Sequence, residues 1–207
     1  MTMTRKAFLR DFWRYYIHLE KRFAGSLDYV ELDECNYGTF SNYYASLLQS
    51  IGAEIDHFMK VYCGYPVSER HIIDDYASSI LPDEEFNITE QKVLVVGTDI
   101  VISPFKDWNS KCAAKSLFWW DAYNNVKHNR SENFKKANLE NVLYSLAALY
   151  ILEMNQLKRI ANEDPNALDI PSPESDYFQL QGRDCFILSA LKCVVTADGQ
   201  TYEAVAK

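Results

Sequence analysis

The sequence of 207 residues lacks several short patterns that mark common enzyme and membrane classes. It has no glycine-rich phosphate loop, because Gly97 stands alone without companion glycines or a following Lys-Ser/Thr. It also has no Gly-x-Ser-x-Gly nucleophile elbow. Every apolar run is shorter than the ~18 residues that a membrane-spanning helix needs. These absences argue against a P-loop NTPase, an α/β-hydrolase and a membrane-spanning protein.

Cysteine usage and the N-terminus indicate a reducing compartment. The five cysteines are odd in number, widely spaced and contain no Cys-x-x-Cys pair, so neither a disulfide framework nor a zinc ribbon is expected. The first residues lead directly into an amphipathic pattern without the apolar core of a signal peptide. We therefore predict a cytoplasmic protein that uses no metal or cofactor.

Composition predicts a packed core, and the distribution of charge predicts a local anion site. Apolar residues make up 48% of the chain, including 14 Tyr and 11 Phe, which suits one domain with a small appendage. The net charge of −8 argues against nucleic-acid binding by the whole surface. Residues 106–136, however, contain seven Lys or Arg and three Asp or Glu, a net charge of +4. The rest of the chain therefore carries a net charge of −12. A local basic surface of this kind fits a confined anionic ligand.

Apolar spacing predicts a mainly α fold, a bundle of four to five helices with a small β-hairpin and a short β segment at the C-terminus. Three domain parts are predicted: a helical bundle at 1–163 with a hairpin insertion at 91–104, a proline-rich linker at 164–176, and a β appendage at 177–207 with a hairpin at Asp198-Gly199. The predicted helices cover residues 3–24, 39–63, 68–81, 109–129 and 133–162.

The last predicted helix has an apolar stripe at near-heptad spacing, which is typical of a seam that packs against another helix. Glu153 is the one polar residue in this stripe. Because such a seam can also mate with a second copy of the chain, it favours a homodimer. The stripe consists of Leu139, Leu143, Leu146, Tyr150, Leu157 and Ile160.

The densest polar cluster of the chain lies just before this long helix. Offsets of 0, 3 and 7 place Asp121, Asn124 and His128 on one helical face. Two cations, Lys127 and Arg130, lie on the neighbouring face. An imidazole flanked by an amide, a carboxylate and two cations is a suitable set for handling a phosphodiester. A solvated helix surface is the simpler interpretation of the same residues.

The pattern Asn124-x-x-Lys127-His128-x-Arg130, followed by a long amphipathic helix, resembles the core of HEPN domains. The resemblance covers residues 109–162, and the two earlier long helices match in architecture only. HEPN domains are small helical bundles of bacterial toxin–antitoxin and phage-defence systems. Their active members are metal-independent endoribonucleases that work as dimers, with a motif of Arg, a polar residue and, a few residues later, His. Here Tyr123 occupies the Arg position, and Tyr cannot supply a permanent cation.

The resemblance therefore implies two functions of different classes. In the first, an RNA-cleaving dimer, His128 is the general acid or base, Asn124 is the polar motif residue, and we expect Lys127 and Arg130 to contact phosphate. We expect Asp121 either to hold the histidine tautomer or to pair with a Lys or Arg. In the second, the chain is a non-catalytic module that binds an antitoxin or defence partner.

Three other candidates carry less weight. Glu54 and His57 form a Glu-x-x-His pair on a predicted helix, to which a neighbouring helix could add His71, Asp74 and Asp75 as metal ligands. The sequence has no second Glu-x-x-His, so a polar helix face explains the pair better.

Trp119 and Trp120 are expected to pack in the core or an interface rather than to stack on bases. Cys112 precedes the helix that carries His128, but Cys–His catalysis requires the two side chains to meet in space.

Overall fold

We describe a computed structural model of the chain. The structure describes residues 3–66, 68–164 and 167–181, and the backbone of two further strands at 195–197 and 200–202. The predicted strand beginning at Cys185 lies outside the described residues.

The described chain is mainly helical with a small antiparallel sheet, as the sequence predicted. A π-helical turn at Leu9–Trp13 joins α1 and α2 into one continuous helix. Ser41 caps α3 by accepting a hydrogen bond from the Tyr44 amide at 3.0 Å, and Asn138 caps α8 in the same way. The helices are α1 Arg5–Phe8, α2 Arg14–Ser26, α3 Asn42–Tyr62, α4 Ile73–Ile80, α5 Ala113–Ser116, α6 Phe118–His128, α7 Arg130–Asn133 and α8 Leu139–Glu163.

Helices α3 and α8 run parallel through the centre of the bundle. At one end Phe40 forms a β-bridge with Asn138, and at the other end the Arg159 guanidinium donates to the Tyr62 carbonyl at 3.3 Å. Helices α2 and α6 pack against both of them. The core is therefore centred on α8, which is buried along most of its length.

Three predicted helices begin or continue differently from the sequence pattern. The helix predicted over 133–162 begins at Leu139, where Asn138 caps it. Helix α4 begins at Ile73 rather than near Ser68, because the Asp75 carboxylate accepts from the Ile72 amide at 2.9 Å and so caps the helix there. The helix predicted over 109–129 is interrupted at Leu117, whose backbone is extended. It ends at His128, because Asn129 leaves the helical conformation with φ −148° and ψ 73°.

The hairpin predicted at 91–104 consists of β1 (Val93–Val95) and β2 (Val101–Ile102), which pair antiparallel. A third strand, β3 (Phe178–Leu180), pairs with the other edge of β1. Strands β4 (Val195–Ala197) and β5 (Gln200–Tyr202) pair antiparallel, and the turn predicted at Asp198-Gly199 lies outside the described residues. The start of the predicted appendage is thus joined to the hairpin of the bundle, and the predicted boundary itself stays a prediction.

The proline-rich segment predicted as a linker is hydrogen-bonded along α1 and α2. The Arg5 guanidinium donates to the Leu168 and Ile170 carbonyls, at 3.0 and 2.7 Å. The Trp13 indole donates to the Pro173 carbonyl at 2.7 Å. The buried Glu20 carboxylate accepts a hydrogen bond from the backbone amide of Asp176 at 3.0 Å. Held by these contacts, the segment runs along α1 and α2 to β3, which pairs with β1.

The apolar seam of α8 is occupied within the chain. All six stripe residues and Glu153 are buried against the neighbouring helices. Our expectation that this seam offers a mating surface for a second copy is therefore wrong, because α2, α3 and α6 already cover it. The exposed surface of α6 is separate from this seam.

Candidate functional site

A cleft of about 440 Å³ opens beside the C-terminal half of α6. Helix α3, the segment that leads into α4, and α5 form its other walls. The volume lies within the roughly 300–1,000 Å³ typical of small-ligand sites. We call it the α6 cleft; it is lined by Asp56, Lys60, Arg70, His71, Ile72, Ile73, Asp74, Ala114, Trp120, Tyr123, Asn124, Lys127 and His128.

Three of the five predicted site residues line the α6 cleft. Asn124, Lys127 and His128 all face it, and the last two are exposed to solvent. The helical spacing of these residues accounts for the arrangement, since positions three and four apart share a face. The Asn124 amide also donates to the Trp120 carbonyl at 3.1 Å, which fixes the side chain along the helix.

Tyr123 holds one of the cations of the cleft, Lys127, in place. Lys127 Nζ lies 3.1 Å from the Tyr123 hydroxyl and 5.1 Å from the centre of its ring. The second contact is a cation–π interaction, which further restricts the ammonium group. The tyrosine itself is only 3% exposed. The residue at the motif's Arg position thus supplies no charge of its own but positions the charge of Lys127.

Close packing of α3 and α6 depends on a glycine. A Cβ placed on Gly52 would lie 2.3 Å from the Tyr123 ring, a distance that no real Cβ tolerates. The absent side chain leaves the space that the ring fills. Gly52 therefore determines where Tyr123, and through it Lys127, lies relative to α3.

Sequence reasoning missed the residues that the opposite walls contribute. Lys60 reaches the α6 cleft from the end of α3, and Arg70 reaches it from the segment before α4. Both are distant from His128 in sequence and belong to no recognisable motif. Their approach follows from the packing of α3 and α5 against α6 and of α5 against α4.

The imidazole of His71 is fixed between other groups. Its ring stacks on Tyr65 at 4.0 Å with an interplanar angle of 9°. Its Nδ1 lies 3.5 Å from the Asp75 carboxylate, and its Nε2 lies 3.5 Å from Glu69. Because Nε2 is shielded from solvent, His71 supports the wall of the cleft, whereas His128 is the exposed imidazole.

The lining of the α6 cleft is more basic than the protein as a whole. Three cations (Lys60, Arg70, Lys127) face two carboxylates (Asp56, Asp74), a balance of +1 on a chain of net charge −8. The Tyr76 hydroxyl donates to the Asp56 carboxylate at 3.1 Å and so occupies part of its accepting capacity. The cleft therefore favours an anion in a region where the rest of the surface repels one.

Two predicted site residues are not among those that line the cleft. Asp121 pairs with Lys136 at 2.9 Å and accepts from the Asn125 amide at 2.8 Å. Of its two expected roles, pairing with a cation is therefore the one observed. Arg130 lies beyond the break at Asn129, at the start of α7. Because the helix does not continue, the face predicted for Arg130 does not exist.

The competing candidates have structural explanations. Trp119 and Trp120 are buried, and the Trp119 indole donates to the Pro104 carbonyl at 2.8 Å, so the core interpretation is confirmed. His57 stacks on Phe12 at 5.7 Å. Among the described residues, no three His, Cys, Asp or Glu side chains are close enough to hold a metal ion.

Cys112 is exposed and does not line the α6 cleft with His128. Cys35 is also exposed, whereas Cys63 is partly buried.

Comparison with protein-family profiles, with curated proteins and with solved structures returned no match for this chain. None of the helices within the described ranges combines the length and apolar character required to traverse a bilayer.

Proposed function

We propose that the α6 cleft binds a phosphodiester of RNA and that the chain is an HEPN-like, metal-independent endoribonuclease. One observation carries this proposal: an exposed histidine, His128, shares a cleft with Asn124 and with cations that three separate chain segments contribute. A cleft built in this way holds an anion beside a group that transfers protons. The resemblance to HEPN domains supplies RNA as the anion.

The proposed reaction is an attack of the ribose 2′-oxygen on the adjacent phosphorus. A base removes the 2′-OH proton as the O2′–P bond forms, and an acid protonates the 5′-oxygen as the P–O5′ bond breaks. An imidazole can take either role near neutral pH, and we assign His128 to one of them. Lys127, held by Tyr123, would stabilise the charge that develops on the phosphoryl oxygens. Asn124 would orient the phosphate or the imidazole.

A homodimer would complete this chemistry with a second His128. The α8 seam is buried within the chain, so it supports no dimer. The exposed C-terminal end of α6, which includes Lys127 and His128, is the surface that remains for the two copies to meet. The dimer is part of the proposal and rests on the resemblance.

A second candidate function is a non-catalytic module that binds an antitoxin or defence partner. The observation that favours it is the buried state of Tyr123, which stands where HEPN nucleases carry an arginine. An arginine at this buried position would bring a charge against α3, where the Tyr123 ring now packs on Gly52. In this case the cleft would bind without cleaving.

Cleavage of RNA in the presence of EDTA separates the two candidates. The purified protein and its His128→Ala variant are incubated with total RNA and with structured RNA, and the products are resolved on a denaturing gel. We expect His128→Ala to lower the cleavage rate by about 10²–10⁴-fold. His18→Ala is the matched control, because His18 is an exposed histidine on α2 that does not line the cleft.

Three outcomes would reject the nuclease. Equal cleavage by the wild type and His128→Ala would place the activity elsewhere. No cleavage of any substrate, together with retained binding of a partner, would favour the module. Cleavage that requires a divalent cation and is lost on changing Glu54 or His57 would overturn both candidates.

A further inference from the structure

Two cations, Lys115 and Arg130, lie close in sequence to residues that line the α6 cleft. Lys115 directly follows Ala114, which lines the cleft, and Arg130 lies two residues after His128. Consecutive Cα atoms are about 3.8 Å apart, so neither backbone position is far from the cleft wall. Helix α5 packs against α4 and α6, and α7 packs against α6.

These cations are free to bind an external anion. Within the described ranges, Lys136 is the only base of residues 106–136 that forms an ion pair with a carboxylate. Both Lys115 and Arg130 are exposed. An exposed cation without a carboxylate partner gives up little when a phosphate binds it, because no ion pair must break first.

Acidic charge on the rest of the chain confines the path of a bound polyanion. Outside residues 106–136 the sequence carries −12, whereas this segment carries +4. One of its three acids, Asp121, is already paired with Lys136. A polyanion leaving the cleft would therefore be attracted along α5 and α7 and repelled elsewhere.

We propose that the α6 cleft takes one unpaired nucleotide of a longer RNA strand, and that Lys115 and Arg130 bind the phosphates that flank it. This inference rests on the proposed function and adds the length and strandedness of the ligand. A cleft of about 440 Å³ holds a single small ligand. A base inside a duplex remains stacked and paired, so an unpaired strand is the form that can place its nucleotide there.

The salt dependence of binding tests the inference. The probe is a fluorescently labelled ten-nucleotide 2′-O-methyl RNA, which cannot be cleaved because its 2′-oxygen carries no proton. Its affinity is measured by anisotropy across a salt series, and adenosine 3′-monophosphate is measured as the single-nucleotide ligand. Each phosphate contact on a single strand contributes about −0.7 to the slope of log K against log salt.

The Lys115→Ala/Arg130→Ala double variant should lose about 1.4 from the magnitude of that slope. It should bind adenosine 3′-monophosphate as the wild type does, because neither residue lines the cleft. Arg14→Ala/Lys21→Ala is the matched control: it removes the same charge from exposed positions on α2. The control should keep the wild-type slope.

The two proposals fail in different ways. An unchanged slope in the double variant, with mononucleotide binding intact, would overturn the flanking contacts and leave the cleft as proposed. Equal binding of a duplex and a single strand would overturn the unpaired nucleotide. If adenosine 3′-monophosphate does not bind, or if its binding does not depend on Lys127, the proposed function itself is rejected.

Discussion

Helices α6 and α8 both contain apolar and polar residues, but they differ in whether their polar side chains are exposed or buried. The C-terminal polar residues of α6, Lys127 and His128, are exposed along a cleft. Helix α8 buries several of its polar residues, including Glu153 and Asn155. The difference follows from the neighbours: α8 is covered by α2, α3 and α6, whereas the end of α6 lies at the margin of the bundle. Exposure is thus decided by how many elements surround a helix.

Glu153 shows what such burial does to a carboxyl group. Its side chain is fully buried, and neither oxygen has a hydrogen-bond partner among the described residues. Burial, with a smaller contribution from nearby Glu54, raises the pKa of Glu153 well above its ordinary value. Burial also raises the pKa of Glu54 to about 7. The two carboxyl groups therefore favour the protonated, neutral form in the folded state.

The largest expected effect concerns the seam of α8. Leu146 is fully buried within the chain, so Leu146→Ala should lower the free energy of unfolding by about 2–5 kcal/mol. Urea unfolding followed by circular dichroism measures this loss. The loss should be the same at every protein concentration, whether or not copies associate through α6, because the seam is covered within the chain. A loss that grows with protein concentration would mean that a second copy, rather than α2, α3 and α6, helps to bury the seam.

A smaller effect is expected where α6 meets α3. Gly52→Ala places a methyl group against the Tyr123 ring, and the overpacking should cost about 1–3 kcal/mol of unfolding free energy. It should also weaken phosphate binding, because Tyr123 positions Lys127 and a displaced ring would displace the lysine as well. Gly25→Ala is the control, since a Cβ there meets no atom within 4 Å. The helix propensity of alanine should make that variant as stable as the wild type or more so. Equal stability of both variants would contradict the close contact.

The pH dependence of stability tests the buried carboxyl pair. An acid whose pKa is raised on folding contributes stability at low pH, which is lost as the pH rises from its unfolded to its folded value. For Glu54 that window runs from about 4.5 to about 7. We expect Glu153→Gln to flatten this decline and to add on the order of 1 kcal/mol at pH 8. Urea unfolding at pH 5 to 8 gives the measurement.

Glu163→Gln serves as the control for that experiment, because Glu163 is exposed at the end of the same helix. It should leave the pH profile unchanged. An identical profile for Glu153→Gln and the wild type would show that folding does not raise the pKa of the buried carboxyl group.

The smallest effect is expected at Asp121. Its pair with Lys136 is partly exposed, with 40% and 42% of the two side chains accessible, and such pairs contribute about 0.2–1 kcal/mol. Asp121→Asn should therefore cost less than about 1 kcal/mol and leave RNA cleavage unchanged. A large loss of cleavage with normal stability would return Asp121 to the catalytic role that its helical position first suggested.

Periodicity predicted the helices well and the local interruptions poorly. Helix α3 begins and ends within three residues of its predicted limits, and α8 ends one residue beyond its predicted end, because their caps and apolar stripes are local features. Helix α8 begins at Leu139, six residues later than predicted. The breaks at Leu117 and Asn129 carry no comparable signal. The second break places Arg130 at the start of α7, outside the lining of the cleft, so one missed break removed one predicted residue from that lining.

Sequence alone determined which residues on α6 share a face, since helical geometry relates positions three and four apart without reference to the rest of the chain. It placed Asn124 and His128 on one face and Lys127 on the neighbouring face, and all three line the cleft, whereas Asp121, predicted on the face of Asn124, does not. Only the tertiary structure decided which distant residues join them and which polar residues are buried. Lys60 and Arg70 reach the cleft, and Glu153 is enclosed, because helices far apart in sequence pack together.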